Sequence, residues 1–549
     1  MSLRRCLVVP VVLFAFAALT GCSNNSGITN PVAPPTGSFS NSNLKGTYVF
    51  SVSGLDFNGA PYTLVGTFAA NGSGGISSGT YDMNDAEFPA NSIAPVADQA
   101  ITGGNYAVQV DGRTRVTLNA STPFGSSGGS SGIVLDIVLQ NSSHGLVTQF
   151  DVNASGSGTV DLQTAGATPT GTYAFSLSGS TISGESLAAV GNFTVGSTGL
   201  TGLIDVNEGG ILPFIGGSLT GSLSVGPSAT PATTLTSGAL SGTFDVFAID
   251  ATHLRFIEMD ATNILVGDAY AQTSTAMPVG TQAFTLAGCA PCSSSSFTPS
   301  AIGGFIVTDG SGNITNSSTQ DYNIGGQASS SSTAFSGTYA PTSSSTGRYQ
   351  LGGFNSSFVG GSAYAAYPSS GGLLLLEIDN AGLNIGAAYA QASGASFAAS
   401  QGYGLNLTGT NNATGSEVEV DDIAEFASAA SGSTITGVID ENYAPGGSPN
   451  LGLALSSGVY SGPDPSGRYS LSAAAGNQNN STLNGGFNLY FYTADGVTFP
   501  FIDVDSSQVA TGVFVEQSSS AASSSAAIKS TMFIAPPIFR PHALKKKQK

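Results

Sequence analysis

The strongest constraint on this chain is a block that recurs four times. An Asp is followed seven residues later by Gly and twelve residues later by Gln. The triplets are Asp151/Gly158/Gln163, Asp260/Gly267/Gln272, Asp379/Gly386/Gln391 and Asp505/Gly512/Gln517. The spacing between successive Asp residues is 109, 119 and 126, too long for one turn of a solenoid and right for whole domains in series.

Each repeat opens on an alternating segment closed by Gly. These run Tyr48–Gly54, Tyr173–Gly179, Gln282–Gly288 and Tyr403–Gly409, with large apolar residues at every second position. That period of two is the mark of a half-buried strand. A second strand follows, carrying Gly66-Thr-Phe68, Gly191-Asn-Phe193, Gly304-Phe305 and Glu425-Phe426. It leads through a turn into Asp-x-Asn, at Asp82/Asn84, Asp205/Asn207, Asp321/Asn323 and Asp440/Asn442. Gly-Arg precedes a later strand at Gly112-Arg113, Gly347-Arg348 and Gly467-Arg468, and repeat two lacks it. Seven or eight short strand candidates per unit, with no amphipathic helix, predict an all-β chain of four tandem antiparallel domains. An up-and-down barrel of about eight strands is the expected unit. A β-sandwich of immunoglobulin type is the alternative, weakened by the absence of Trp and of a long-range Cys pair. The domains are expected at 44–165, 169–273, 278–392 and 397–517, as separate units in a row.

In this reading the repeated Asp accepts backbone N–H bonds in the turn of a closing hairpin. The Gly permits a tight bend or close backbone approach at the start of the last strand. That strand should pair with the repeat's first strand and close the sheet. Repeat two is the cleanest test, through Gly171–Gly179 and Gly267–Gln272.

Composition narrows function by exclusion. Only 9% of residues are charged, and from residue 46 to 527 five Arg and no Lys stand against all 33 acidic residues, a net charge of −28. Such a surface repels phosphate backbones, so nucleic-acid binding is excluded. Solubility is its expected role, with calcium binding the alternative. Asp205, Asn207 and Glu208 form the most ligand-rich candidate, without the twelve-residue spacing and terminal Glu of an EF-hand. The Asp-x-Asn pairs are read as turn closers, and no cofactor is expected. His144 and His253 each stand seven residues before the repeat Asp and are read as turn residues. Glu258, Glu377 and Asp503 each precede the repeat Asp by two residues, on the same face of a strand. Paired carboxylates can cleave glycosides, but recurrence in three units argues against a single active site. Cys289 and Cys292, spaced C-A-P-C, are expected to close a small disulfide loop.

The N-terminus carries an address. Arg4 and Arg5 precede an apolar stretch from Leu7 to Leu19, of signal-peptide length and too short to span a membrane. It ends Leu19-Thr20-Gly21-Cys22, which resembles the lipobox of bacterial lipoproteins. The resemblance covers residues 1–22 alone. It implies a signal peptide at 1–21, lipidation of Cys22, and, with Ser23 rather than Asp next, export to the outer membrane of the cell envelope. The acyl chains implied supply enough buried surface for stable anchoring. Residues 22–43, polar and Pro-rich, read as a flexible tether, and 518–549 as a Ser/Ala linker followed by a disordered basic tail.

The expected function is that of a lipid-anchored, monomeric array of surface modules, structural or adhesive, meeting a polysaccharide or surface-protein partner. A carrier of small apolar ligands and an envelope enzyme are the competing readings. A packed barrel interior would disfavour the carrier. A cleft joining a His to a carboxylate and a nucleophile would favour the enzyme.

Overall fold

The computed structural model describes residues 38–86, 95–121, 132–226, 232–293, 296–342, 347–412, 418–445, 449–475 and 486–519. They form 33 β-strands and one three-residue 3-10 turn. No helix among them is long and apolar enough to cross a membrane.

The strands make four closed antiparallel barrels of eight strands, each strand paired with the next and the last with the first. The barrels span Lys45–Leu162, Gly171–Ala271, Gly280–Ala390 and Gly402–Glu516. In barrel three the ring of strands closes where Ser296–Thr308 pairs with Asn313–Ile324, and the two-residue strand Gln327–Ala328 is an addition. Gly171–Thr181 pairs directly with Asn263–Ala271, which removes the sandwich alternative.

The recurrent Gly explains the closure. Gly158, Gly267, Gly386 and Gly512 lie opposite Val52, Leu177, Leu286 and Leu407 of the respective first strands. A Cβ there would lie 1.9, 1.9, 2.0 and 2.1 Å from the carbonyl oxygens of Ser51, Ser176, Thr285 and Asn406. The residue therefore permits two backbones to approach in mid-strand, rather than making a bend.

The alternating apolar residues fill the lumens. Tyr48, Phe50, Val52, Phe68 and Tyr81 are buried together in barrel one, and Tyr403, Leu405, Phe426, Phe491 and Phe514 in barrel four. Barrels two and three are filled in the same way around Phe175 and Phe193, and around Phe284 and Phe335. Each such side chain contributes about 2–3 kcal/mol by leaving water. One register differs from the sequence reading. Ile306, not Phe305, holds the lumen position opposite Gln282, while Phe305 points outward and packs against Tyr492 of barrel four.

The barrels do not stand in a row. Strands one to three of each pack against strands six to eight of the next, and those of barrel four pack back onto barrel one. The result is a closed, head-to-tail ring with four equivalent seams and pseudo-fourfold symmetry. The first and last described residues meet at the seam between barrels four and one. Residues 38–43, expected in the tether, are docked there: Phe39 is buried in the core of barrel one, and Asn43 Nδ2 donates to the Ser519 carbonyl at 2.9 Å.

Candidate binding surface

The polar residues of the repeat are the bolts of this ring. At one rim, where strand eight ends, the block Gln of each barrel donates to a carbonyl of the next. Gln163 Nε2 reaches Ala248 O at 2.9 Å, Gln272 reaches Pro368 O at 2.8 Å, Gln391 reaches Thr493 O at 3.1 Å and Gln517 reaches Leu139 O at 2.9 Å. At the opposite rim the Asn of Asp-x-Asn donates into the neighbour's last turn. Asn84 Nδ2 binds the carbonyls of Glu258 and Asn263, and Asn207 those of Glu377 and Gly382, all at 2.9 Å. Asn323 binds those of Asp503, Asp505 and Gln508, and Asn442 those of Gln149, Asp151 and Ala154. Asn207 also closes its own turn, its Oδ1 accepting the Gly210 N–H at 2.9 Å, but the amide nitrogens all satisfy buried carbonyls one barrel away, where an unpaired group would be costly.

The Asp of the same motif meets the Gly-Arg element of the next barrel. Arg348 makes a two-pronged contact to Asp205, Nε to Oδ2 at 2.7 Å and Nη2 to Oδ1 at 2.6 Å, and the Tyr367 hydroxyl adds a bond at 2.6 Å. Asp321 is held by one nitrogen of Arg468, Nη1 at 2.7 Å, and by the Tyr492 hydroxyl at 3.0 Å. The candidate calcium ligands Asp205 and Asn207 are thus engaged in the seam between barrels two and three, while Glu208 is exposed. Among the described residues no group of three or more His, Cys, Asp or Glu is arranged to hold a metal ion.

The repeat Asp does organise its turn in three barrels. Asp151 accepts from the Asn153 N–H, Asp260 from the Thr262 and Thr243 N–H groups, and Asp379 from the Ala381 N–H. Asp505 instead donates its own N–H to Asp503 at 2.7 Å. The preceding acids meet the repeat Asp side chains directly. Burial, and then the neighbouring carboxylate, push Glu258 up to about 8; burial pushes Glu377 up to about 9. Contact pairs of this kind leave no gap for a glycoside, whose cleavage needs carboxylates about 5 Å apart or more. Cys289 and Cys292 are bonded to each other, buried at the end of strand Gly280–Ser293.

The two histidines are less alike than their spacing implied. His144 Nδ1 lies 2.7 Å from Asp161, and His253 Nε2 lies 2.7 Å from Asp268. Arg255 links both pairs across the seam between barrels one and two. Its Nε donates to Asp268 at 2.8 Å, one Nη reaches Thr159 Oγ1 at 2.8 Å and the other Ser51 Oγ at 2.5 Å. The Arg255 charge, after that of His144, holds Asp161 down at about 2 against its burial. Ser51 is bonded to the guanidinium, not to a His, and both imidazoles are buried. The arrangement joins two barrels and offers no nucleophile to a substrate.

What remains facing outward is apolar and local. Leu200–Glu208 and Ile211–Ser222 of barrel two form a hairpin through Gly209 and Gly210, whose φ values of 54° and 78° suit a tight, twisted turn. The next strand, Thr233–Thr236, reaches only the last three residues of Ile211–Ser222, pairing with Thr220–Ser222. Residues 211–219 therefore carry no described strand on their far side. Leu212 is 88% exposed, Ile211 62% and Ile215 51%. Pro213 blunts the open edge by removing a donor. The base is rigid, because the Gly216 N–H and Arg348 share Asp205 and Asn207 is bolted to barrel three. Sequence reading passed over this site, although Ile211-Leu-Pro-Phe-Ile215, an unbroken apolar run between two Gly-Gly pairs, is its signal. The run lies at the rim of the Asn bolts, opposite the rim that holds the first and last described residues.

No protein family matches the chain, and no curated protein matches it. Among solved structures, that of the isotype 1 transferrin binding protein B from serogroup B Neisseria meningitidis is similar over 68% of this chain and 82% of that one. The TM-score is 0.21 and the identity 9%, values at which the likeness carries no inference about this chain.

Proposed function

We propose that the protein is a non-catalytic binding scaffold of the bacterial cell envelope, held by a lipid on Cys22 and presenting the Ile211–Ile215 hairpin to a protein partner. Cys22 lies outside the described residues, so the anchor rests on the lipobox-like sequence. The observation that carries the reading is the hairpin. Contiguous exposed apolar side chains on a rigid base mark contact surfaces, since exposure to water is otherwise unfavourable. Its place on the rim away from the tether turns it outward from an anchoring membrane. Apolar tips favour a protein partner over a polysaccharide, whose hydroxyls would need polar matching. Among the described residues the lumens are filled, which disfavours the carrier reading.

The test has two arms. The Cys22→Ala variant should move from the membrane to the soluble fraction; retention on membranes would remove the anchor. A surface-protein and glycan array probed with the wild type and with Leu212→Asp should lose its protein signals, at least tenfold, in the variant. Binding unchanged by Leu212→Asp, or confined to glycans, would remove the hairpin as the binding site.

A further inference from the structure

One cross-strand pair differs in kind from barrel to barrel. The residue seven before the repeat Asp lies opposite the residue two before the block Gln, across strands seven and eight. Three of the pairs are His144 with Asp161, His253 with Tyr270 and Thr498 with Val515. In barrels one and two an imidazole fills the place, bonded to Asp161 or stacked on Tyr270 with ring centroids 4.5 Å apart. In barrel three the corresponding residues are Gly372 and Tyr389. They are neighbours, since a Cβ on Gly372 would lie 3.0 Å from Cδ1 of the Tyr389 ring, but the glycine brings no side chain to the pair.

A crevice of about 320 Å³ opens beside this pair, at the rim of the Gln bolts. Barrel four supplies part of its wall, so it is a space between barrels and not a lumen. Tyr389, Leu373 and Pro278 make an apolar side, and barrel four contributes Asp495 and Thr498. The walls are fixed in advance. The Ser370 N–H donates to the Ala271 carbonyl at 2.9 Å, and the Ala392 N–H ties the two barrels together through the Ala494 carbonyl at 2.8 Å. Asp495 Oδ1 accepts the Val497 N–H at 3.0 Å and the Thr498 N–H at 2.8 Å, while Oδ2 takes no hydrogen bond among the described residues. Thr498 is 1% exposed, and its hydroxyl has no hydrogen-bond partner. No Lys or Arg lines the crevice, so its one fixed charge is negative.

We propose that the crevice between barrels three and four binds a small organic cation with a planar aromatic ring, the ring against Tyr389 and the ammonium group on Asp495. An aromatic side chain favours a second ring and a nearby positive charge. A carboxylate with a spare oxygen makes a charge-assisted bond to an ammonium donor, and it repels phosphates and carboxylates. The volume is at the lower end of those that hold small ligands, which suits a single-ring compound. Barrel two carries the same kind of contact within the chain, where Tyr270 holds the His253 ring. In barrel three a bound ring supplies what Gly372 does not. The site lies at the rim away from the Ile211–Ile215 hairpin and does not rest on that reading.

Isothermal titration and ligand-observed NMR on the full chain test the site with three matched probes. Benzylamine has ring and charge, benzyl alcohol the ring alone, and cyclohexylmethylamine the charge on a non-aromatic ring. Benzylamine should saturate one site per chain at about 1 mM or below, and both other probes should bind about tenfold more weakly. Asp495→Asn keeps an oxygen for the two turn N–H groups and removes the charge. It should weaken benzylamine about tenfold and leave benzyl alcohol unchanged. Absence of saturable benzylamine binding to the wild type, which needs no variant, would overturn the site. Equal binding of cyclohexylmethylamine would overturn the aromatic class and reduce the effect to attraction by an acidic surface. Benzylamine binding that survives Asp495→Asn at full strength would place it elsewhere and overturn the assignment.

Discussion

The seam between barrels two and three is crossed by continuous chain, whereas the seam between barrels four and one joins the last barrel to the first. Both use the same bolts. Asn207 and Asn442 enter corresponding turns, and Gln272 and Gln517 reach corresponding carbonyls at Pro368 and Leu139. The ring is thus encoded in the repeat and not in the linkers. Where the seams differ is in how they hold charge. The first neutralises Asp205 with Arg348. The second sets Arg113 and Arg115 toward Asp440 and in addition buries Asp421 against Ser155 Oγ and Ser157 Oγ, at 2.7 and 2.8 Å, and sets Glu419 on the Leu55 N–H, with no cation at either of these two carboxylates.

The largest break in this comparison should come from Arg348→Ala. It leaves Asp205 buried with Tyr367 and one backbone N–H, and loss of a partner in a buried ion pair costs about 3–5 kcal/mol. Chemical denaturation should show that loss; a change below about 1 kcal/mol would mean that the ion pair does not hold the seam. Next come Asn207→Ala and Asn442→Ala, each orphaning buried carbonyls at a cost of about 1–3 kcal/mol. Equal costs would confirm that covalent linkage adds nothing to a seam, and a smaller cost at Asn442 would show the closing seam to be frayed. The finest distinction is pH. Burial raises Asp421 to about 6, above its unfolded value, so the folded chain holds the extra proton. Its contribution is intact below about pH 4 and is lost as pH rises through about 6. Asp421→Asn should flatten the wild-type decline in stability between pH 4 and 6 by about 1–2 kcal/mol. An unchanged profile would place the proton elsewhere in the seam.

Much of the barrel was legible. Tyr173, Phe175 and Leu177 alternate because one side of a strand faces the lumen, and Gly267 recurs because no Cβ fits beside the Ser176 carbonyl. Such constraints act between neighbours in sequence or between two strands of one repeat. The seams were not legible. Asn84 and Gln163 look like turn residues, since Asn and Gln carry no mark of where their partner carbonyl lies. Arg255 gave no sign of joining His144 to His253, because its partners Ser51, Thr159 and Asp161 come from another repeat. Phe305 was misplaced by one residue for a related reason: an outward aromatic on a seam is as buried as an inward one.

The sequence alone determined the repeat, the all-β class, the tandem units of about eight strands and the excess of acid, because each follows from local periodicity, backbone sterics or composition. Barrel closure over a sandwich was settled by strand pairing. The tertiary structure decided that the four units form a ring, that the Asp, Asn and Gln signatures are bolts between barrels, and that one apolar hairpin is left to water. Those outcomes depend on which buried carbonyl, guanidinium or carboxylate comes into reach about a hundred residues away, and only the packed chain sets that distance.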